Sequence, residues 1–264
     1  MDRRSKDLRK IIVDILADQR RGHLGPAMSS IDILRVLYDH FLKYDNKDPD
    51  WADRDRFILS KGHGCLSLYS ILADKNFFPK EELMSFCSFD SRFGGHPEKF
   101  KIPGIEASTG ALGHGLPIAV GMALAAKIRK QSHRVVVLTG DGELNEGSTW
   151  EAALSASKHK LSNLIVLVDY NKFQSYGSNR EILDLEPLLD KWKSFGFDAS
   201  EFDGHDIQQM KKSLNGTSSN NKPKAFIAHT IKGKGFEFAE NNIEWHHKSK
   251  ITDDEIEKMY LAIK

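Results

Sequence analysis

The sequence is poor in cysteine, in long apolar runs and in any excess of charge of one sign. Its 264 residues include only two cysteines, Cys65 and Cys87, and its 38 basic residues are balanced by 37 acidic ones. Two cysteines cannot build a disulfide framework, and these two lack metal-ligand spacing. We therefore expect two reduced thiols in a cytoplasmic protein. The charge balance gives no reason to expect nucleic acid or an anionic membrane as a partner.

Membrane insertion and secretion are also not predicted. No apolar run approaches the roughly 20 residues that a membrane-spanning helix needs. The first apolar stretch is short and is interrupted by Asp14 and Asp18, which is typical of an amphipathic helix and not of a signal peptide. The composition, 40% hydrophobic and 28% charged, is that of a globular protein. The length suits a single domain over residues 1–264.

Stretches with helical spacing alternate with short β-type runs. The predicted helices cover residues 5–20, 29–43, 64–76, 114–130, 148–160, 184–195, 206–215 and 252–263. The predicted strands cover residues 56–60, 134–139, 163–170, 197–202 and 225–230. Two of these strands are almost entirely apolar, which indicates burial on both faces. The alternation predicts an α/β fold, with a parallel β-sheet flanked by helices.

Two polar stretches lack any periodicity. The segment "NGTSSNNKPK" (215–224) is predicted to be a disordered loop before the last strand. The segment "IKGKGFEFAENNIEWHHKSK" (231–250) is a second long loop, and long loops of this kind are often functional.

The segment "TGDGELNEG" (139–147) places acidic residues and glycines directly after an apolar strand. Such a turn can bind a metal, present backbone N–H groups to phosphate, or only reverse the chain. Asn171 ends the next predicted strand, and neighbouring parallel strands lie about 4.8 Å apart. A carboxylate from Asp141, an amide oxygen and a backbone carbonyl would suit Mg²⁺ or Ca²⁺, and such an ion commonly serves a diphosphate. Gly140 and Gly142 would let phosphate oxygens approach the start of the following helix.

The pairing of a Gly-Asp-Gly turn with a strand-terminal Asn is found in thiamine diphosphate enzymes. The chain resembles the N-terminal, diphosphate-binding portion of transketolase over nearly its whole length. The motifs that carry the resemblance are "GHLG" (22–25), "SKGHG" (60–64), "GGHPE" (94–98), "STGALGHG" (108–115), "GDGELNEG" (140–147), "VDYNKFQ" (168–174), "FDGHD" (202–206), "TIKGKG" (230–235) and "WHHK" (245–248). The "SKGHG" and "GHPE" segments favour transketolase over the α-subunits of 2-oxoacid dehydrogenases.

The resemblance implies a role for individual residues. The metal ligands would be Asp141, Asn171 and the main-chain carbonyl of Phe173, holding Mg²⁺ or alternatively Ca²⁺ or Mn²⁺. The residues assigned to cofactor binding are His63, Gly110, Leu112, Gly142, Glu143, Asn171 and Lys232. The histidines assigned to the reactive thiazolium carbon and the sugar hydroxyls are His23, His96 and His246. Glu146 matches an acidic residue near the subunit interface that links paired active sites.

The histidines also suit this chemistry on their own terms. Ketol transfer needs groups that move protons and hold hydroxyls near neutral pH, and imidazole does both. The chain has 11 histidines, and an isolated histidine is more often structural. We expect that ordinary role for four of them: His40, His133, His159 and His205.

Three departures from the family pattern concern substrate fit more than the cofactor. Pro26 follows the "GHLG" motif, where related sequences often carry a small residue. The segment "QSYG" (174–177) replaces a more usual acidic residue, and His247 stands where many transketolases have Gly.

The resemblance also implies a partner. A whole transketolase is roughly twice as long, and its pyrimidine domain supplies the glutamate that activates the cofactor. Because no second sheet can be built here, we expect the pyrimidine and C-terminal domains on a partner chain, in a heterotetramer, with residues 110–126 at the contact. A fragment of a longer chain is the competing explanation.

Three functions remain open from the sequence. The first is the N-terminal subunit of a transketolase-type enzyme that moves a two-carbon ketol unit between sugars or sugar phosphates. The second is a subunit of another thiamine diphosphate enzyme, acting in acyl or ketol transfer or in 2-oxoacid decarboxylation. The third is a non-catalytic regulator, against which the four motif histidines argue.

Overall fold

The computed structural model describes residues 1–216 and 221–264. Within these ranges the strands are β1 (Arg56–Leu59), β2 (Val135–Gly140), β3 (Leu164–Tyr170), β4 (Asp198–Asp203) and β5 (Lys224–His229). The helices are α1 (Arg3–Gln19), α2 (Leu24–Val36), α3 (Cys65–Asp74), α4 (Gly115–Ile128), α5 (Gly147–Lys158), α6 (Asn179–Ile182), α7 (Leu188–Ser194), α8 (Ile207–Asn215) and α9 (Asp253–Ala262). Short 3₁₀ turns lie at Gly62–Gly64, Lys80–Ser85, Gly142–Asn145 and Ile243–Trp245.

The five strands form one parallel sheet in the order β1-β2-β3-β5-β4. Every residue of β2 and β3 is buried, as the apolar runs predict. Alternate residues of β2 face different cores. Val136 and Leu138 pack with α1, α2 and α3, whereas Val135 and Val137 pack with α4, α5 and α7. The predicted α/β fold, a parallel sheet between two layers of helices, is confirmed.

Helix α2 begins at Leu24, five residues before the predicted start. The predicted start, at residue 29, lies after Pro26, but a proline at this position does not exclude the earlier start. In the first turn of a helix a proline costs no hydrogen bond, since the N–H groups of that turn have no partner within the helix. The early start matters for the site because it places His23 at the amino end of α2.

One helix start and one short helix also differ from the prediction. Helix α7 begins at Leu188 and not at residue 184, because Pro187 precedes it and the residue before a proline is driven away from helical backbone. Helix α6 was not predicted at all. It is only four residues long, and the capping box of Ser178 and Glu181 starts it.

The polar segments and the termini complete the fold. Residues 217–220 of the predicted disordered loop lie outside the described residues. The 231–250 segment is a series of turns that buries Trp245 and contains one 3₁₀ turn. Helix α9 packs on α1, where the Tyr260 hydroxyl donates to Asp14 (2.9 Å). Among the described residues, no helix is both long enough and apolar enough to span a membrane.

Candidate active site

The candidate site is a cavity of about 230 Å³ beyond the carboxyl ends of β2 and β3. Ten residues assigned from the sequence line it: His63, Gly110, Leu112, Asp141, Gly142, Glu143, Asn171, Phe173, Lys232 and His246. Pro26, Lys61, Gly140, Gln174 and Ser175 complete the lining. Residues from distant motifs therefore meet at the edge of a parallel sheet where ligands of such folds bind.

Asp141 follows the last residue of β2 and is almost completely buried. Its Oδ1 accepts a hydrogen bond from the N–H of Gly142 (2.8 Å), and its Oδ2 accepts one from the N–H of Lys172. Among the described residues its carboxylate forms no ion pair. Burial and the nearby carboxylate of Asp169 raise the pKa of Asp141 to about 6. The site thus holds a desolvated carboxylate that has no ion-pair partner in the described part of the chain, and the charges of Lys61 and Lys232 act on it only from a greater distance.

Asn171 and Phe173 lie on the loop after β3. The Asn171 Oδ1 accepts a hydrogen bond from the N–H of Phe173 (3.1 Å). The Phe173 carbonyl accepts one from the Lys232 ammonium (3.0 Å), which also donates to the Gln174 carbonyl (2.9 Å). Burial and the charge of Lys61 lower the pKa of Lys232 to about 8. Lys232 therefore holds the loop that carries two of the three predicted metal ligands.

The donor set suits a hard divalent cation that has further ligands from elsewhere. Within the described part of the chain, no cluster of three or more His, Cys, Asp or Glu side chains could hold a metal alone. Asp141, Asn171 and the Phe173 carbonyl offer three oxygens, whereas such a cation needs about six. A diphosphate could supply the rest. The buried carboxylate of Asp141, which has no cation partner, fits this arrangement.

Lys61, which lines the cavity, forms a buried ion pair with Asp169. The Asp169 carboxylate also accepts hydrogen bonds from the hydroxyls of Ser29 (2.6 Å) and Thr230. Burial alone would raise the pKa of Asp169, but the Lys61 charge and these hydrogen bonds lower it. The pair joins α2, β3 and the segments after β1 and β5 into one support.

The Glu143 carboxylate is occupied by groups of the protein itself. Its Oε1 accepts hydrogen bonds from the Ser60 hydroxyl and from the N–H of Gly113 (3.0 Å). Its Oε2 accepts one from the N–H of Gly140 (3.1 Å). Glu143 therefore ties the segment after β1 and the loop at Gly113 to the end of β2, and burial raises its pKa.

Five imidazoles gather at the open end of the site; we call them the histidine cluster. The ring centroid of His23 lies 5.8 Å from that of His63, 6.4 Å from that of His96, 5.6 Å from that of His246 and 4.5 Å from that of His247. Burial and neighbouring positive charge lower the pKa of His23 and of His246 to about 3, and lower that of His63 well below its usual value. These three rings are therefore neutral near neutral pH.

Two buried polar atoms at the cavity have no hydrogen-bond partner among the described residues: His246 Nδ1 and Gln174 Nε2. The other ring nitrogen of His246 lies 3.1 Å from the Ser175 hydroxyl. Buried polar atoms are rarely left unpaired, so each such atom needs an explanation. A bound polar ligand would supply it here.

His23, His96 and Glu146 do not line the cavity. His23 belongs to the histidine cluster, and the exposed His96 reaches it from the "GGHPE" loop. Gly110 permits this approach, since a Cβ on Gly110 would lie 2.8 Å from His96 Cδ2 and the residue has a φ of +143°. Glu146 is exposed at the residue before α5, and its side chain packs against Gly113, next to Leu112: a Cβ on Gly113 would lie 2.6 Å from Glu146 Cβ.

The sequence reasoning assigned no role to Lys61, Asp169, Gln174 or Tyr69. The need for a partner of Asp169 could have been predicted, because a charged residue inside the apolar run "NLIVLVDY" is expected to be buried and therefore paired. The hydroxyl of Tyr69 donates to the His96 carbonyl (2.9 Å), which orients the "GGHPE" loop. No local pattern indicates that contact, because it joins residues from separate segments.

Comparisons with known proteins agree with this geometry. The family model described as "Transketolase, thiamine diphosphate binding domain" matches residues 2–263. An apulose-4-phosphate transketolase subunit from Actinobacillus succinogenes is 45% identical over 249 residues, covering 94% of this chain and 90% of that protein. The 6-deoxy-6-sulfo-D-fructose transketolase subunit SqwG of Clostridium sp. is 38% identical over 248 residues, covering 94% and 90%.

A solved structure of similar fold is the transketolase of Campylobacter jejuni, with a TM-score of 0.91 and 32% identity. It covers 100% of this chain, whereas this chain covers 43% of that one. The chain thus spans less than half of that transketolase and nearly all of the relatives that are named as subunits.

Proposed function

The chain belongs to the transketolase family through its thiamine diphosphate-binding domain, and on that premise we propose that it holds the diphosphate end of the cofactor in a two-subunit enzyme. The reaction is the transfer of a two-carbon ketol unit from a sugar donor to an aldose acceptor. In this proposal residues 1–264 form one diphosphate-binding domain, and a partner chain supplies the pyrimidine domain. The single continuous sheet supports that domain assignment.

The observation that carries the proposal is the buried carboxylate of Asp141, which has no ion-pair partner among the described residues. It is buried at the carboxyl end of β2 with only two backbone N–H groups as partners. A buried charge is costly unless a counterion reaches it. We therefore assign Asp141, Asn171 and the Phe173 carbonyl to Mg²⁺, or to Ca²⁺ or Mn²⁺, with the cofactor diphosphate completing the ion's ligands.

The remaining lining residues have roles that follow from their position. His63 and Lys232 border the same cavity as the metal ligands and would contact the diphosphate. Gly110, Leu112 and Gly142 line it with backbone that a phosphate or ring can approach closely. Glu143 contributes indirectly, by tying the loops around the cofactor together.

When bound, the cofactor supplies a carbon nucleophile for the two-carbon unit. The chain's part is to hold hydroxyls and to move protons beside it. His23 and His246 are neutral, so each offers a ring nitrogen that can accept a proton or a hydrogen bond. His246 Nδ1 is buried and has no partner among the described residues, so it is the atom best placed to accept a hydrogen bond from a substrate hydroxyl.

The names of the relatives support the partner. Two proteins that this chain nearly spans are named as transketolase subunits. The face of α4 and α5 offers a contact surface, because Ile118, Ile128 and Leu154 are exposed by 37%, 72% and 59%, and a Cβ added at Gly121 would meet nothing within 4 Å. We assign this face to subunit contact in a heterotetramer, and we assign Glu146, directly before α5, to the same interface.

The substrate class is an anionic sugar. The relatives are named for apulose-4-phosphate and for 6-deoxy-6-sulfo-D-fructose, which carry a phosphate and a sulfonate. The alternative from the sequence, acyl transfer or oxoacid decarboxylation, is not favoured, since these relatives are transketolases.

The test is reconstitution. The purified chain is mixed with a candidate partner polypeptide, thiamine diphosphate and Mg²⁺, and ketol transfer is followed with a panel of phosphorylated and sulfonated sugars. We expect turnover only in the complete mixture and only with ketose donors. Turnover of 2-oxoacids in preference to ketoses would overturn the assigned reaction.

A further inference from the structure

We propose that Arg9, Asp32 and His205 form a positioning network for Lys232, acting from outside the cavity; this rests on the proposed function. None of the three lines the active-site cavity. They line instead a separate cavity of about 460 Å³. Their link to the site is the "TIKGKG" loop, which the network holds on both sides of Lys232.

The centre of the network is the Asp32 carboxylate on α2. It accepts hydrogen bonds from Arg9 Nη1 (2.9 Å), Arg9 Nη2 (2.7 Å) and His205 Nδ1 (2.9 Å). The side chains are nearly buried, with exposed fractions of 1% for Arg9, 7% for Asp32 and 13% for His205. Burial opposes the charge of Asp32, but the Arg9 and His205 hydrogen bonds hold its pKa well below its usual range. The network is thus a fixed, charged unit.

Each outer member of the network binds the backbone of the loop. His205 Nε2 accepts a hydrogen bond from the N–H of Ile231 (3.0 Å), directly before Lys232. Arg9 Nε donates to the carbonyl of Lys234 (3.1 Å), two residues after it. Gly235 allows this contact, because a Cβ there would lie 3.1 Å from Arg9 Nε and its φ is +98°.

The hydrogen bonds also fix the tautomer of His205. Since Nε2 accepts from a backbone N–H, it carries no proton, and the ring proton must be on Nδ1, facing Asp32. Asp32 therefore orients His205 in the way that outer-shell carboxylates orient metal-binding histidines. Removing the Nε2 acceptor would free the Ile231 N–H without touching the Asp32 contact.

Lys232 connects the network to the loop that carries the candidate metal ligands Asn171 and Phe173. Its ammonium donates to the carbonyls of Phe173 and Gln174. Only one residue separates Lys232 from Lys234, so the two backbone contacts leave little freedom in where the Lys232 side chain begins. A misplacement of about 1 Å in a site of this kind is enough to impair it. His205, expected from the sequence to be merely structural, becomes a positioning residue.

Two substitutions at His205 separate positioning from stability. His205→Asn places an amide donor near the Nδ1 position, toward Asp32, and has no acceptor for the Ile231 N–H. His205→Gln places an amide oxygen near the Nε2 position and loses the donor to Asp32. If the loop contact matters, Asn is the worse replacement; if only the buried network matters, Gln is the worse one. His159→Asn is the matched control, since His159 is exposed at the end of α5.

Two readouts are measured on each variant. Amide hydrogen exchange of residues 230–235 is followed on the chain. Thiamine diphosphate KM and kcat are measured at saturating Mg²⁺ in the reconstituted enzyme. For His205→Asn we expect faster exchange in this segment and a cofactor KM raised about 10-fold, the lower end for outer-shell residues, with kcat within threefold of wild type. His205→Gln should fall between His205→Asn and the control.

A reference variant separates the failure of this inference from failure of the proposed function. Lys232→Met should raise the cofactor KM at least as much as His205→Asn; if it has no effect, the site assignment itself fails. If Lys232→Met raises the KM and His205→Asn does not, or if Gln is worse than Asn, the positioning role is wrong. Should His205→Asn not fold, Arg9→Lys carries the test, because it keeps the charge beside Asp32 and loses the Nε donor to Lys234.

Discussion

Two aspartates at neighbouring strand ends have opposite surroundings. Asp169, in β3, is buried against Lys61 and two hydroxyls, and its pKa is lowered. Asp141, directly after β2, is equally buried, has only backbone N–H partners, and its pKa is raised to about 6. On the Asp169 side, which we call the closed side, a lysine of the same chain neutralises the carboxylate. On the Asp141 side, which we call the open side, the carboxylate has no ion-pair partner among the described residues and faces the cavity that the histidine cluster adjoins.

The different surroundings indicate different roles: Asp169 stabilises the fold, and Asp141 is available to bind a ligand. A buried carboxylate that is paired with a lysine matters for the stability of the fold, since removing either partner leaves a buried charge without its counterion. A buried carboxylate without a direct ion-pair partner is held by the fold at a cost in stability, which is typical of a ligand-binding site. The contrast predicts different consequences for substitutions only a few ångströms apart.

The largest effect should come from the open side. Asp141→Ala removes the one carboxylate assigned to the ion, so we expect loss of metal-dependent cofactor binding in the reconstituted enzyme. A fall in kcat/KM of about 10³-fold or more is expected, since such an ion supplies several kcal/mol. Calorimetric titration of thiamine diphosphate with and without Mg²⁺ measures it. Asp190→Asn, on the exposed face of α7, is the control. Normal cofactor affinity in Asp141→Ala would remove the distinction between the two aspartates.

The histidines on the open side come next. We expect His96→Ala and His246→Ala to lower kcat by about 10²–10⁴-fold if they transfer protons, with cofactor KM mostly unchanged. His63→Ala should instead raise the cofactor KM, because we assign His63 to the diphosphate, whereas His246, which lines the same cavity, is assigned to the substrate through its Nδ1. Steady-state kinetics against both cofactor and substrate separates the two. Small and equal effects of all three would mean that the cluster is structural.

On the closed side the effect should be on stability. Lys61→Met leaves the Asp169 carboxylate buried without its partner, and we expect the free energy of unfolding to fall by about 3–5 kcal/mol. Lys10→Met breaks an exposed ion pair with Asp14 and should change it by less than about 0.5 kcal/mol. Urea denaturation of the cofactor-free chain gives both values. A Lys61→Met chain as stable as the Lys10→Met chain would contradict the supporting role of the pair.

The smallest effect is the pH dependence of the cofactor-free chain. Asp141 has a pKa raised from 3.8 to about 6, so its contribution to stability is full below about pH 4 and is lost as pH rises through about 6. The loss is on the order of 3 kcal/mol. We expect the stability difference between wild type and Asp141→Asn to shift by this amount, in favour of the variant, between pH 4 and pH 7. No shift would mean that Asp141 is not desolvated.

Much of this arrangement could be predicted from the sequence. The apolar runs of β2 and β3 fix a buried parallel sheet, and the positions of Asp141 and Asn171 just after them place both at one edge. The motif order then brings His63, Gly110 and Lys232 to the same cavity. The sheet and the strand-end positions could be predicted because they depend on local periodicity, whereas the meeting of His63, Gly110 and Lys232 was implied only by the resemblance to transketolase.

What was missed depends on contacts between distant segments. Lys61 meets Asp169 across 108 positions, and His205 meets Asp32 across 173. No spacing rule connects such pairs, and the charge of Asp169 shows only that some partner must exist. The start of α2 was missed for a different reason, because the position of Pro26 relative to the first turn decides whether it breaks a helix.

The central claim is that Asp141 is the carboxylate left for a cation while Asp169 is neutralised within the chain. The most direct test counts Mn²⁺ bound per chain by electron paramagnetic resonance in the reconstituted enzyme, with and without thiamine diphosphate. We predict one Mn²⁺ per chain in wild type and in Asp190→Asn, only when the cofactor is present, and none in a folded Asp141→Asn variant. One Mn²⁺ per chain in Asp141→Asn, bound as tightly as in wild type, would contradict the account.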